Sequence, residues 1–188
     1  MKDIINSYFE QLKKSLDKMD RDEITNLVDI MEAARKKQKK VFIFGNGGSA
    51  ATASHFAGDM NKGVSYGKEV RHRVIALTDN IPAIMAYAND TSYDDVFVEQ
   101  LKNLIDPEDV VIGISGSGNS KNVLAAIEYA NGKGNITVGI TGYDGGKLKK
   151  ISKYSINANI NDMQISEDIH MILTHLLMKL LMKKGEEI

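Results

Sequence analysis

Two loops in this 188-residue chain have the residue types that bind phosphate groups. GNGGS at 45–49 and SGSGNS at 115–120 each follow a short apolar run and precede a stretch with helical spacing. Glycines let the backbone approach an anion closely, and hydroxyls and the free N–H groups of a first helical turn donate hydrogen bonds to it. A loop of this composition is often only a turn. Two such loops after two strands of one sheet predict a site for phosphate or a sugar phosphate.

The first loop lacks the features of the common nucleotide-binding motifs. Its spacing is G-x-G-G-S rather than the dinucleotide pattern G-x-G-x-x-G, and it has no Gly-Lys-Ser/Thr sequence of a P-loop. We therefore predict no nucleotide cofactor.

Four ionisable side chains form a second group with chemical potential. His55 and Asp59 are four residues apart in the helical stretch after the first loop, so they share one helix face. Glu167 and His175 fall in the last apolar helical segment. Together these nitrogen and oxygen ligands suit zinc or another borderline divalent ion, and the alternative is ordinary charge pairing on a solvated face.

The spacing of Glu167 and His175 restricts how such a metal site could form. Eight residues separate the two side chains, which is about 12 Å along a regular helix. Either Glu167 begins the helix and reaches forward, or the two act from different subunits. Of the other histidines, His72 is predicted to be solvated at a strand entrance, and His170 to be a supporting or surface residue.

The elements that must position these residues alternate along the chain. Strands are predicted at 41–44, 73–77, 110–114, 136–140 and 154–160. Helical spacing lies before, between and after them, with two helices first, Asp20 as the N-cap of the second, and a last helix from 162–167 to about Lys184. Buried strands alternating with helices predict an α/β fold with a parallel sheet covered on both faces, where ligands bind at the carboxyl ends of the strands.

The last helix has an unusually wide apolar face. Its members are Ile169, Ile172, Leu173, Leu176, Leu177 and Leu180. This face is buried either in the core of one chain or between subunits.

The composition limits the function classes. A net charge of −1 gives no indication of nucleic acid or an anionic membrane as a partner, and no apolar run reaches the roughly 20 residues of a membrane span. The chain has no cysteine and no apolar secretion signal at its start. We expect a cytoplasmic protein with a single domain over 1–188, in which 1–39 form a helical segment packed on the rest.

The motifs together resemble the SIS (sugar isomerase) domain family and, within it, the phosphoheptose isomerases. The resemblance rests on GNGGSAATASHFA at 45–57, AND at 88–90, GISGSGNSKNV at 113–123, TGYDGG at 141–146, and Q-x-x-E-D-x-H-x-x-x-x-H from Gln164. It implies a three-layer α/β/α fold with a five-stranded parallel sheet, two N-terminal helices and a long C-terminal helix. It also implies a homotetramer with active sites at subunit interfaces.

The resemblance implies a role for each matching residue. Ser115, Ser117 and Ser120 would hold the phosphate. The sugar contacts would come from Asn46, Ser49, Asp90 and Gln164. The zinc positions, one ion per active site, would be His55, Asp59, Glu167 and His175. In an aldose–ketose isomerisation through an enediol, Asp59 would remove the proton beside the carbonyl, His175 would move the second proton, and the metal would polarise the oxygens.

The chain departs from the family pattern at several of these positions. Asp59 stands where the family usually has Glu, and Glu167 stands where it usually has a Gln ligand. Gln164, Gly63 and Gly116 replace the usual Asp, Arg and Thr.

The leading interpretation is an isomerase that converts sedoheptulose 7-phosphate to D-glycero-D-manno-heptose 7-phosphate, feeding lipopolysaccharide or related heptose synthesis. The alternatives are a non-catalytic phosphosugar-binding or protein-interaction SIS module, or an isomerase for another ketose phosphate.

Overall fold

The secondary structure follows the predicted alternation. The structure, a computed structural model, describes residues 1–184. The helices are α1 Lys2–Lys18, α2 Arg21–Lys36, α3 Gly48–Gly58, α4 Ile81–Asp90, α5 Val98–Leu104, α6 Lys121–Gly132, α7 Gly146–Ile151 and α8 Met163–Lys184. The strands are β1 Lys40–Phe44, β2 Arg73–Ala76, β3 Val110–Ser115, β4 Ile136–Thr141 and β5 Tyr154–Asn157.

The five strands form one parallel sheet in the order β2-β1-β3-β4-β5. The central register pairs Val41 with Val110, and Gly113 with Gly139. Residues from α2, α3 and α8 pack on one face of the sheet, and residues from α5, α6 and α7 pack on the other. This confirms the predicted α/β fold with a five-stranded parallel sheet, because the central strands β1, β3 and β4 are buried on both faces and need a helical layer on each.

Some boundaries differ from the predicted ones. The last strand ends at Asn157 instead of continuing to 160, and α3 ends at Gly58 and is followed by a π-helical turn over Asp59–Val64. Two short helices, α5 and α7, were not predicted. They have seven and six residues, too few for a helical period to be clear in the sequence.

The N-terminal helices are attached to the rest of the molecule by capping and by apolar contacts. Asp20 is the N-cap of α2, as predicted, and its side chain accepts hydrogen bonds from the N–H groups of Asp22 (2.8 Å) and Glu23 (3.4 Å). Tyr8 of α1 donates a hydrogen bond to Asp168 Oδ2 of α8 (2.6 Å). Helix α2 contributes buried residues such as Leu27 to the core.

Helix α8 divides its wide apolar face between the core and the surface. Ile169, Leu173, Leu177 and Leu181 are buried. Ile172, Leu176 and Leu180 are 37–38% exposed and form a second apolar stripe beside them. Among residues 1–184, no helix has both the length and the apolar composition that crossing a membrane requires.

The prediction that His72 is solvated is wrong. Its side chain is buried, and its Nε2 lies 3.6 Å from Glu32 Oε1 of α2. Glu32 in turn forms a buried ion pair with Arg35 (2.8 Å). Because α2 covers the entrance of β2, a histidine between two arginines becomes part of the interior.

Candidate functional site

The first loop, 45–49, leads from β1 into α3. Gly47 is the N-cap of α3 with φ +53°, a conformation that favours glycine. At Gly45 a Cβ would lie 2.7 Å from Ser49 Cβ and 2.8 Å from the Ile114 carbonyl oxygen. The loop therefore needs glycine twice, once for its backbone angle and once because it passes close to β3.

The second loop, 115–120, leads from β3 into α6. The hydroxyl oxygens of Ser115 and Ser120 are 3.0 Å apart, and Ser117 Oγ accepts a hydrogen bond from the N–H of Asn119 (3.2 Å). Ser120 is the N-cap residue of α6, but its side chain makes no cap hydrogen bond. Since Ser115 and Ser120 approach each other at a helix N-terminus, their hydroxyls can donate to one anionic group.

The two loops are joined by a pair of amides. Asn46 Nδ2 donates to Asn122 Oδ1 (2.9 Å), and Asn122 Nδ2 donates to Asn46 Oδ1 (3.0 Å). The Tyr93 hydroxyl also donates to Asn46 Oδ1 (2.9 Å). Sequence reasoning did not select Asn122 or Tyr93 as site residues. The signal available for Asn122 was its place in the first turn after the serine loop, and for Tyr93 its closeness to the AND motif.

The three other residues predicted to contact the sugar differ in burial and in position. Ser49 is buried in the first turn of α3. Asp90 is exposed at the end of α4, where its carboxylate accepts a hydrogen bond from Asn89 Nδ2 (2.7 Å). Gln164 is exposed in the first turn of α8. Asp90 therefore bonds its neighbour in the chain rather than either loop.

His55, Asp59 and His175 lie together, with one potential ligand atom from each within 4.8 Å of the others. The two histidine Nε2 atoms are 3.0 Å apart, and His55 Nε2 lies 3.3 Å from Asp59 Oδ2. Asp59 Oδ2 is buried and has no hydrogen-bond partner. A buried carboxylate oxygen without a partner is costly unless something positive faces it. The three side chains are therefore compatible with a divalent cation.

Glu167, the fourth residue of the predicted metal set, is not a member of this group. Its carboxylate packs against Gly48, and a Cβ at position 48 would overlap it. Gly48 begins α3, seven residues before His55, which is about 10 Å along the helix. Within one chain, Glu167 therefore lies at the N-terminal end of α3, next to the first loop, while His55 and His175 lie further along α3 and α8.

His170 lies inside the molecule rather than on its surface. Its side chain is 2% exposed, and neither ring nitrogen has a hydrogen-bond partner among the described residues. Burial lowers the pKa of His170 below its ordinary value. The imidazole is therefore neutral at pH 7 and separate from the cluster of His55 and His175.

A family profile and individual relatives point to the same protein family. A sequence profile of the SIS domain matches residues 7–142. The probable phosphoheptose isomerase of Thermoplasma acidophilum is 36% identical over 181 residues, which cover 94% of this chain and 97% of that protein. The phosphoheptose isomerase of Helicobacter pylori strain P12 is 38% identical over 175 residues, covering 89% and 86%.

The fold comparison agrees with the sequence comparison. The structure of the phosphoheptose isomerase GmhA from Neisseria gonorrhoeae superimposes with a TM-score of 0.88 and 28% identity, covering 96% of this chain and 97% of that one. Because the profile spans most of the chain and these relatives match it nearly from end to end, the chain belongs to the SIS domain family and is similar to phosphoheptose isomerases.

Proposed function

We propose that the chain is an aldose–ketose isomerase that converts sedoheptulose 7-phosphate to D-glycero-D-manno-heptose 7-phosphate. The observation that carries the proposal is the cluster of His55, Asp59 and His175. His55 and Asp59 lie at the end of α3, the helix that begins at the first loop, and His175 comes from α8. Similarity to proteins named phosphoheptose isomerases supports the choice of sugar.

The serine loop is the proposed phosphate site. Ser115, Ser117 and Ser120 supply neutral hydroxyl donors, and α6 adds the N–H groups of its first turn. Neutral donors at a helix N-terminus can hold a dianion without a lysine or arginine. Asn46 and Ser49 are proposed to contact the sugar chain from the first loop, and Asp90 and Gln164 from the rim.

The proposed reaction moves two protons and leaves the overall composition of the sugar unchanged. The Asp59 carboxylate takes a proton from C1 of the ketose, the C1–H electron pair forms the C1–C2 double bond, and the π pair of the C2 carbonyl moves to O2, where a proton from His175 completes the enediol. His175 then takes the proton from O1, the O1–H electron pair forms the C1 carbonyl, and the C1–C2 π pair takes a proton from Asp59 at C2. The short distance between His175 and His55 (3.0 Å between Nε2 atoms) provides a neighbour that can hold the imidazole in position.

The same cluster is the proposed place of the metal. His55, Asp59 and His175 would hold it, and two nitrogens with a carboxylate oxygen suit zinc. When bound, such an ion stabilises negative charge on the carbonyl and hydroxyl oxygens. Glu167 can complete the ligand set only if its carboxylate leaves Gly48 or comes from a second copy of the chain.

Oligomerisation is proposed together with the activity. The stripe of Ile172, Leu176 and Leu180 on α8, and the exposed Ile4 and Phe9 on α1, are apolar surfaces of the kind that subunit interfaces bury. We propose a homotetramer of single SIS domains spanning 1–188, acting in the cytoplasm in the synthesis of heptose for surface polysaccharide.

A proton NMR time course in D2O tests the proposed activity. Zinc-loaded protein is mixed with sedoheptulose 7-phosphate. Isomerisation through an enediol gives a new aldose anomeric signal and deuterium at C2. If saturation transfer detects binding but no aldose forms at high protein concentration, the isomerase proposal for this sugar is wrong. Fructose 6-phosphate and ribulose 5-phosphate are the matched substrates, and turnover of either one alone would assign a different sugar.

A further inference from the structure

The amide pair between the loops has a defined direction. The backbone N–H of Val123 donates to Asn122 Oδ1 (2.9 Å). A backbone N–H can only donate, so this contact identifies the oxygen of the Asn122 amide. The other atom of the Asn122 amide is then its nitrogen, which can only donate, so the Asn46 atom that it meets must be the oxygen.

This direction decides what Asn46 can offer a ligand. Asn46 Oδ1 already accepts from Asn122 Nδ2 and from the Tyr93 hydroxyl, which uses both of its lone pairs. Asn46 Nδ2 donates one N–H to Asn122 Oδ1. Its second N–H has no acceptor among residues 1–184 and remains for a ligand.

We infer that Asn122 and Tyr93 are positioning residues that hold Asn46 as a hydrogen-bond donor, so that the ligand atom at this position is an acceptor oxygen. The inference rests on the proposed function, because an isomerase substrate offers such oxygens on its carbonyl and phosphate. Asn122 is 2% exposed and lies in the first turn of α6, so it cannot reach a ligand itself. It acts through Asn46 by connecting the first loop to the helix that begins at the second.

A double-mutant cycle tests this role in the full-length, zinc-loaded protein. Asn122→Ala should raise KM for sedoheptulose 7-phosphate about tenfold, the size expected for losing one oriented hydrogen bond. In an Asn46→Ala background the same substitution should change KM less than about twofold, because the residue it positions is absent. Equal effects of Asn122→Ala in both backgrounds would overturn the inference.

Asn131 provides a matched control on the same helix. Its Nδ2 donates to the Ile151 carbonyl and its Oδ1 accepts from Thr137 Oγ1, both at 2.7 Å, at the end of α6 away from the loops. Asn131→Ala should lower stability with no change in KM. If Asn131→Ala raises KM as much as Asn122→Ala, the effect on KM is a general loss of stability and the inference is wrong.

Tyr93→Phe and an NMR measurement keep the inference testable if turnover fails. In the 1H–15N spectrum of the wild-type protein, one Asn46 side-chain N–H should exchange slowly with water and the other quickly. Asn122→Ala should make both fast, and Tyr93→Phe should weaken the protection. If the wild-type protein has one protected Asn46 N–H but turns over no ketose phosphate, the proposed function is wrong and the inference about Asn46 stands. If the wild-type protein is active but both Asn46 side-chain N–H protons exchange rapidly, the inference is wrong and the proposed function stands.

Discussion

Asp59 Oδ2 is a buried carboxylate oxygen that lies beside imidazole nitrogens and accepts no hydrogen bond. A carboxylate oxygen in that setting is stabilised by a nearby positive charge, which is why we propose Asp59 both as a metal ligand and as the base. Aspartate is shorter than glutamate by one methylene, and Asp59 is the first residue of a π-helical turn.

Asp59→Asn tests this role with almost no change in shape. We expect turnover to fall by about 10²–10⁴-fold, the usual contribution of a positioned general base, and bound zinc to decrease. The folded state should persist, as measured by circular dichroism. Asp29→Asn, on the surface of α2, is the matched control and should keep wild-type turnover. Full activity of Asp59→Asn would contradict the assignment of the base.

The lowered pKa of the buried His72 side chain predicts how the free energy of unfolding depends on pH. Burial lowers its pKa to about 4. Burial alone would raise the pKa of Glu32, but the hydrogen bond and charge of Arg35 outweigh that effect and lower it. Glu32 therefore stays ionised while the unfolded chain protonates His72 near its ordinary pKa of about 6.5 and the folded chain does not.

The free energy of unfolding should therefore decrease as the pH falls from about 6.5 toward 4. Between pH 7.5 and 5 the His72 contribution is about 2 kcal/mol. Urea titrations at both pH values measure it, and His72→Gln should reduce the difference by that amount. An identical pH dependence in wild type and His72→Gln would rule out this explanation.

At the scale of elements, α3 and α8 lie side by side because a glycine leaves room between them. Gly48 has an ordinary φ, so glycine is required there for space and not for its backbone angle. The space is filled by the Glu167 carboxylate, which lies at the N-terminus of α3, where negative charge is favourable. The position of Glu167 is thus a property of this helix pair.

Gly48→Ala should displace Glu167 and lose that interaction. In the wild-type background we expect a destabilisation of up to about 1 kcal/mol. In a Glu167→Ala background the same change should be neutral or stabilising by up to about 1 kcal/mol, because alanine is the better helix former. Chemical denaturation measures both values, and additive effects would contradict the packing argument. Gly58→Ala, at the other end of α3 where a Cβ meets nothing, should not couple to Glu167.

At the scale of the whole molecule, the exposed apolar stripe on α8 is one of the apolar surfaces that a single chain leaves uncovered. It lies beside the buried stripe of Ile169 and Leu173, so one helix both completes the core and presents a surface. A tetramer would remove Ile172, Leu176 and Leu180 from water and could bring Glu167 of one copy near the histidines of another.

Leu176→Glu should lower the oligomeric state, because a charge would have to be buried at the interface without a partner. Size-exclusion chromatography with light scattering should show dimers or monomers at a concentration where the wild type is larger. Lys150→Glu, an exposed charge change on α7 at the opposite face of the sheet, is the control and should have no effect. A wild-type protein that is monomeric at all concentrations would contradict the proposed assembly.

The sequence alone determined the parallel strands, the longer helices between them and the two loops, whereas the short helices α5 and α7 became apparent only in the structure. Runs such as 41–44 and 110–114 are apolar on both faces, which requires a buried parallel strand, and the glycine-rich segments after them can only be turns at the carboxyl edge. The pair of His55 and Asp59 was also predictable, because residues four apart share one helix face.

Only the tertiary structure decided which distant groups meet. His72 is flanked by arginines in the sequence and becomes buried because α2 covers it, and Asn122 becomes a site residue because α6 brings it to Asn46. Glu167 and His175 belong to one helix, yet α8 places the first beside Gly48 and the second beside His55. The physical reason is that periodicity specifies which face of an element is buried, whereas the packing of elements far apart in the chain determines what that face touches.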